Sequence, residues 1–462
     1  MELHINIKFL KRIDMFKCFK KKFIIKYYFD FVKENLIGFL YYLNIFIPKN
    51  NLLIVAFVDY EKVDDKLIPY KSDNVYLLSE YIKKKNSNIK IVYLPSNQFG
   101  GKAGKYFTKI DKIKFLFYRL RAKIILFKHP PHISNYYTKQ QYLIGLGYFI
   151  PFKADYWDFK KWYVFYENII SNNFDEKGCS KYREKILKYF TYTKNQFDKT
   201  NLIMITSSNY AADTLARAHN WNREVFKILG IPKSDVIKSE KNISIKDIFN
   251  IKNNNMNLKF VLYTPTFRDI YIRKSINEIS EDKLNIFGYQ NEKKELEQFL
   301  VENNIVIIIK LHKSFPFYRE LEQKFINEDK TYFKNCYFLD FETEAKFEIS
   351  VYDLFQKSDA MIADYSSISF DYLIYDKPII YNIPDIEEYR EYRGFSYEPI
   401  EELMAGDKVK NIEEFKSSLL KIVNNDDEYQ MERKKVLNKI NEIPKGKALD
   451  NIYNYIKGLI KE

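Results

Sequence analysis

The sequence predicts an α/β chain built on two parallel sheets. Apolar runs of strand length alternate with stretches of helical periodicity, and this happens in two successive series. A polar interval rich in Lys and Asn, Lys238 to Asn257, separates the series and has the texture of an inter-domain linker. The 46% hydrophobic content is enough to fill such cores, which excludes a disordered chain.

The first 50 residues stand apart. Lys8, Lys11, Arg12, Lys17, Lys20, Lys21, Lys22 and Lys26 alternate with Phe9, Leu10, Phe16, Phe19, Phe23, Ile24 and Ile25. The apolar run Leu36 to Pro48 follows; it is shorter than the roughly 20 residues that span a bilayer. A basic, aromatic, amphipathic extension suits an anionic membrane surface, and it equally suits a helix pair packed on the first domain. No small-residue cleavage site follows it, which argues against a secretory signal.

The first series then begins. Leu52 to Val58 reads as a strand, Asp73 to Lys85 as a helix with Val75, Leu78 and Ile82 on one face, and Ile89 to Leu94 as a strand. A helix through Ile113, Phe117 and Leu120 leads to a strand at Ile124 to Phe127. Tyr142 to Leu146 and Leu202 to Ser207 are further strands, and YAADTLARAHNW is the helix after them. LGIPKSDVI, Leu229 to Ile237, closes the first domain. The second series has strands at Leu258 to Tyr263, Ile305 to Leu311, Ala360 to Ala363 and Pro378 to Tyr381. The expected division is 1–50 (N-terminal segment), 51–237, 238–440, and 441–462, a last helix that crosses back.

The formal net charge of +14 favours polyanionic partners: nucleic acid, anionic lipid or a phosphate-rich substrate. No nucleic-acid-binding module is recognisable, so nucleic acid is not an expected partner. Cys18, Cys179 and Cys336 are scattered and odd in number, which fits a reducing compartment without a disulfide framework. With no CxxC pair and no HExxH, no metal site is expected.

The chemistry gathers at the strand ends of the second series. In an open parallel sheet, ligands bind outside the carboxyl ends of the strands. Three such ends are unusually polar: TPTFRD (Thr264 to Asp269), KLHKS (Lys310 to Ser314) and DYSS (Asp364 to Ser367). Together they offer Thr264, Thr266, Arg268, Lys310, His312, Ser366, Ser367 and the start of a helix, with the serines where an N-cap is expected. That set suits a diphosphate, since Arg gives bidentate contacts, Lys a point charge and a helix start unpaired N–H groups. Taken singly, each has a plainer reading: Arg268 paired with an acid, Lys310 snorkelling, His312 structural. Asp371 and Asp376 read as exposed helix positions.

These residues resemble the CDP-glycerol glycerophosphotransferase family, the teichoic-acid primases and polymerases. The resemblance is carried by YTPTFRD (Tyr263 to Asp269), IIIKLH (Ile307 to His312), SDAMIADYSSISFDYLIYDKPIIY (Ser358 to Tyr381), PDIEEYREYRGFSYE (Pro384 to Glu398) and the Gly406 region. SSNYAADTLARAHNW (Ser207 to Trp221) and LGIPKSDVI add to it in the first half. It is good from about Asn201 to Val423, weaker from Asn51 to Lys160, and absent before that.

The resemblance implies a GT-B architecture, two facing Rossmann-like domains with the active site in the cleft. It implies transfer of a polyol-phosphate from a CDP-polyol donor to a lipid-linked or glycan acceptor, with release of CMP and no resident cofactor. His312 matches a characteristic family histidine that assists at the diphosphate. Thr266 and Arg268 match residues near the phosphates, and Ser366 and Ser367 match the serines of the phosphate-binding helix start. Thr264, Lys310 and Asp364 complete the expected donor side. The implied location is cytoplasmic, peripheral at the inner face of the membrane.

One departure matters. The family's WHG-type turn, followed by Pro and Lys, corresponds here to LGYFIPFK, Leu146 to Lys153. Pro151 and Lys153 fit the acceptor side, but Tyr148 stands where the histidine belongs. A phenol with a pKa near ~10 is a poor base at neutral pH. Three readings remain open. Tyr148 orients the acceptor while Asp155 or another acid takes the proton; His129 or His132 reaches the site; or catalysis is weak. The alternative functions are a GT-B glycosyltransferase using a nucleotide sugar and a catalytically impaired binding subunit.

Overall fold

The computed structural model describes residues 44–63, 66–69, 73–95, 109–128, 137–147, 200–219, 221–235, 243–252, 257–266, 287, 292–311, 331–392 and 394–461. In chain order the strands of the first half are β1 (Asn50–Val58), β2 (Tyr60–Val63), β3 (Lys66–Pro69), β4 (Lys90–Pro95), β5 (Ala122–Phe127), β6 (Tyr142–Leu146), β7 (Asn201–Thr206) and β8 (Phe226–Ile228). Those of the second half are β9 (Lys259–Tyr263), β10 (Ile305–Ile309), β11 (Thr331–Phe333), β12 (Cys336–Phe338), β13 (Ala360–Ala363), β14 (Ile379–Asn382) and β15 (Asp407–Val409).

The first sheet runs β4-β1-β5-β6-β7-β8, and every neighbouring pair is parallel. β2 and β3 form a separate antiparallel hairpin. β1 shows why an unbroken apolar run makes a strand of this kind. Leu53, Val55 and Phe57 enter one buried cluster, while Ile54, Ala56 and Val58 enter the other. Both faces are covered, so no polar alternation is needed. Each fully buried Leu, Ile or Val contributes about 1.5–3 kcal/mol.

Helix Asn74–Lys85 covers the second face with Val75, Leu78 and Ile82, and its start is fixed by Asp73, whose Oδ1 accepts from the Val75 N–H at 2.7 Å. Helix Ala448–Lys461 lies on the same face and adds Ile452, Ile456 and Leu459. The last helix thus packs in the core of the first sheet.

The second sheet runs β11-β12-β10-β9-β13-β14-β15, parallel except for the β11–β12 pair. Its strands also alternate between two clusters: Met361 and Ala363 face one, Ala360 and Ile362 the other. The short strands β8, β11, β12 and β15 are too brief for a periodicity reading, and only the sheet reveals them. Gly406 precedes β15 because a Cβ there would sit 1.9 Å from the Ile379 carbonyl oxygen.

The polar interval expected as a linker is partly core. Ser244 caps a short helix, Ile245–Ile248, and Ile245, Ile248 and Phe249 are buried with Ala211 and Ile231 in the cluster of the second sheet. Three apolar residues among many Lys and Asn decided the matter. Further bonds join the two halves. Ser207 Oγ donates to the Ile440 carbonyl at 2.6 Å, the Glu442 N–H to the Ser207 carbonyl at 2.8 Å, and the Leu449 N–H to Asp235 Oδ2 at 2.7 Å.

In each sheet the connections reverse direction once. In the first sheet the reversal falls between β1 and β5, in the second between β9 and β13. The crevice outside the carboxyl ends at such a switch point is where open α/β sheets bind ligands.

Candidate active site

Two of the three polar strand ends meet at the second switch point. β9 runs into Thr264 and Thr266, and β13 runs into Asp364, Ser366 and Ser367. The ladder continues one residue past β9, where the Thr264 N–H donates to the Ile362 carbonyl at 3.2 Å. Asp364 then clamps the two ends together. Its carboxylate, 1% exposed, accepts the Thr266 N–H on Oδ1 at 2.9 Å and on Oδ2 at 2.8 Å. Asp364 stood among the expected donor-side groups; its bonds make it the brace that orients the Thr-Pro-Thr turn, which suits a carboxylate better than direct contact with phosphate.

Thr264 and Thr266 are both buried. Thr264 Oγ1 makes a weak contact, 3.9 Å from Met361 Sδ. Thr266 Oγ1 is buried without a hydrogen-bond partner among the described residues. A buried hydroxyl left unsatisfied costs about 1–3 kcal/mol, so this atom is expected to meet a ligand or water in use.

On the β13 side, Ser367 is the N-cap of helix Ile368–Tyr372, yet its hydroxyl makes no capping bond. The turn is closed instead by the Ser366 carbonyl, which accepts from the Ser369 N–H at 3.2 Å and from Ser369 Oγ at 2.9 Å. Ser366 and Ser367 are half-buried. The helix is five residues long and passes into a 3-10 turn, Leu373–Tyr375, so its dipole is small. Local N–H and hydroxyl donors matter more here than the macrodipole.

The third strand end, β10, lies beside β9 and places Lys310 next to the same edge. Lys310 Nζ sits 2.7 Å from Glu344 Oε2 and donates to the Leu339 carbonyl at 3.2 Å. Both side chains are largely buried, at 11% and 5% exposure. The positive charge expected for the phosphates is thus met by Glu344, a residue the motif reading did not single out.

Asp371 and Asp376 were expected to be exposed, and neither is. Asp371 is half-buried and accepts from Tyr352 Oη at 3.0 Å. Asp376 adopts a left-handed conformation that ends the 3-10 turn, and its carboxylate meets Arg433 at 3.3 Å. Helical periodicity alone does not show a partner arriving from another helix. Arg268, His312, Tyr148, Pro151, Lys153, Asp155, His129 and His132 lie outside the described residues, as does the N-terminal segment up to residue 43. Among the described residues no group of His, Cys, Asp and Glu is arranged to hold a metal ion.

Comparison with known proteins now decides the family. The family model for CDP-glycerol:poly(glycerophosphate) glycerophosphotransferase matches residues 54–458. The chain belongs to this family. The teichoic acid ribitol-phosphate primase of Bacillus spizizenii is 28% identical over 210 residues, 45% of this chain and 47% of that protein. The teichoic acid poly(glycerol phosphate) polymerase of the same organism is 26% identical over 255 residues, 50% of this chain and 58% of its own. The chain therefore spans about half the length of the curated relatives it matches. The solved wall teichoic acid polymerase TagF aligns with a TM-score of 0.61 at 19% identity, over 89% of this chain and 90% of that one. The architecture of this glycerophosphotransferase-family chain is thus the GT-B-like one, two parallel-sheet units with helices on both faces.

Proposed function

We propose that the chain moves a polyol-phosphate, glycerol-phosphate first, from a CDP-polyol to a glycan or polyol-phosphate acceptor in teichoic-acid-like or capsule synthesis. An acceptor hydroxyl attacks the β-phosphorus. The new O–P bond forms as the bond to the CMP phosphate breaks, CMP leaves, and a base takes the hydroxyl proton. Little covalent help is needed from the protein, because phosphoryl transfer rests on positioning and charge stabilisation. Thr264, Thr266, Ser366 and Ser367 are assigned to the donor diphosphate, with Arg268 and His312 supplying charge and hydrogen bonds. Lys310 and Asp364 hold the strand ends in place. Tyr148, Pro151 and Lys153 are assigned to the acceptor side. No resident cofactor enters this reaction.

The observation that carries the reading is the clamp at the β9/β13 switch point, where Asp364 holds Thr266 beside the serine turn and the Thr266 hydroxyl has no hydrogen-bond partner among the described residues. The family match over residues 54–458 supplies the chemical class. Release of CMP from CDP-glycerol, CDP-ribitol and a panel of nucleotide sugars tests it. Turnover of a CDP-polyol supports the assignment. Turnover confined to a nucleotide sugar replaces it with glycosyl transfer, and donor binding without transfer to any acceptor replaces it with the binding subunit.

We also assign the chain to an anionic membrane surface on the cytoplasmic side, where a lipid-linked acceptor lies. Helix Lys109–Arg121 supports this. Ile110, Ile113 and Phe117 are 65%, 68% and 53% exposed on it, and Lys114 and Arg121 are exposed beside them. An apolar stripe flanked by cations on a chain of net charge +14 complements an anionic bilayer. Ile113→Glu with Phe117→Glu should weaken co-sedimentation with phosphatidylglycerol vesicles; unchanged co-sedimentation removes this helix from the contact.

A further inference from the structure

The first switch point carries charged groups that the reaction above does not use. Asp59 follows β1 and Lys128 follows β5; Lys128 Nζ is 3.7 Å from Asp59 Oδ2 and 3.6 Å from Asp73 Oδ2. Beside Asp73, the Asn74 side chain reaches two ways. Its Nδ2 donates to the Gly147 carbonyl at 2.9 Å, and its Oδ1 accepts the Lys233 N–H at 3.1 Å. Gly147 directly follows β6 and directly precedes Tyr148.

Lys233 continues the path into the other half of the molecule. Its Nζ donates to Tyr352 Oη at 2.8 Å, and Tyr352 Oη donates to Asp371 Oδ2 at 3.0 Å. The direction is fixed by chemistry, since an ammonium only donates, an ionised carboxylate only accepts, and a phenol does one of each. Asp371 lies on helix Ile368–Tyr372, which starts at the Ser366–Ser367 turn. A series of hydrogen bonds, carried through the Asn74 and Lys233 side chains, therefore joins Gly147, which directly precedes Tyr148 in sequence, to the element that carries the donor-side serines.

Charge also favours this arrangement. Burial pushes the Lys233 ammonium down and the Asp371 carboxyl up, while each partner's charge works against the other's shift. Lys128 further favours the Asp371 carboxylate but opposes the Lys233 ammonium, which Asp73 supports. The bridge thus keeps two partly desolvated charges compensated across the seam between the halves.

We propose that Lys233, Tyr352 and Asp371 are positioning residues, a strut across the cleft that sets the serine turn of β13 against the strand end of β6. The strut acts through the geometry of the two sites and touches neither donor nor acceptor. Its role in turnover rests on the transferase reading, and its mechanical role does not.

The test uses the full chain with Lys233→Met, Asp371→Asn, the double variant and Lys233→Arg. Two readouts are taken: steady-state CMP release from CDP-glycerol, with a separate donor Kd, and amide exchange over residues 366–372. A misplacement of about 1 Å between reacting groups costs on the order of a hundredfold. Each single variant should therefore lower kcat by about ten- to a hundredfold, with donor Kd within about twofold. The double variant should be no worse than either single, and Lys233→Arg should recover most of the loss. Lys233→Met should also speed exchange at 366–372 while leaving β1 protected, although Lys233 lies in the other half of the chain.

Unchanged exchange at 366–372 in Lys233→Met overturns the strut whatever the turnover. Losses that add in the double variant, or a donor Kd that rises in step with the fall in kcat, overturn it as well. Absent CMP release by the unaltered chain would instead sink the transferase reading, and the exchange arm would still decide the strut.

Discussion

Asp364→Ala separates a brace from a ligand. The carboxylate is 1% exposed and accepts the Thr266 N–H on both oxygens. Removing it deletes a charge-assisted bond and leaves a buried amide donor unsatisfied. Relief of the carboxylate's own desolvation offsets part of this, so the net loss is about 2–3 kcal/mol. For a folding unit of roughly 150–250 residues each kcal/mol moves Tm by ~2–4 °C, so the transition of the second half should fall by about 4–12 °C. Asp364→Asn keeps one acceptor and should lose about half as much stability. The two variants differ usefully in charge. A carboxylate that touched the donor would repel its phosphates, and Asn would then improve donor affinity. A brace predicts affinity near the original for Asn and a clear loss for Ala, because the Thr-Pro-Thr turn is released. Differential scanning calorimetry and titration with CDP-glycerol read both quantities. Unchanged Tm and donor Kd in Asp364→Ala would refute the reasoning.

Three further outcomes follow from the same geometry. Lys310→Met should cost about 3–5 kcal/mol by breaking the buried pair with Glu344, and adding Glu344→Gln should restore stability together with donor affinity; restored stability with donor affinity still lost would make Lys310 a phosphate ligand after all. Gly406→Ala should destabilise the β14–β15 edge strongly in thermal melts, since the new Cβ falls 1.9 Å from the Ile379 carbonyl oxygen, whereas an ordinary melt would mean that the edge relaxes. The Arg433 hydrogen bond and charge hold the Asp427 carboxyl below its ordinary pKa despite partial burial. A depressed carboxyl stabilises fully above the unfolded value of about 3.9 and loses that contribution as pH falls through the folded value, so acid melts of Arg433→Met should lack the part of the decline below about pH 4 that this pair causes in the parent.

The sheets were legible in the sequence wherever a strand was buried on both faces. Leu53 to Val58 and Ala360 to Ala363 are continuous apolar runs because neighbouring side chains enter different cores. Strands of three residues, such as β8 and β15, carry too few positions to show a period. The strand ends that make up the candidate site were legible in part for a similar reason. Thr264, Thr266 and the DYSS turn announce themselves as polar residues ending apolar runs, and a parallel sheet brings such ends to one edge. What each polar group bonds to was not legible. Asp364 turns inward to a backbone N–H, Lys310 meets Glu344, and Asp371 meets a tyrosine hydrogen-bonded to Lys233 of the first half. Those partners lie 98, 34 and 19 residues away, with Lys233 119 residues before Tyr352. Local pattern carries no information at that range, and only the packed sheets supply it.

The measurement closest to the central claim is CMP release from CDP-glycerol by the purified chain, run beside Thr266→Val. The account predicts turnover by the parent and a loss of about tenfold or more in the variant, whose melting temperature should stay near the original because the missing hydroxyl has no hydrogen-bond partner among the described residues. Equal turnover by the two proteins would contradict the placement of the donor at the β9/β13 crevice.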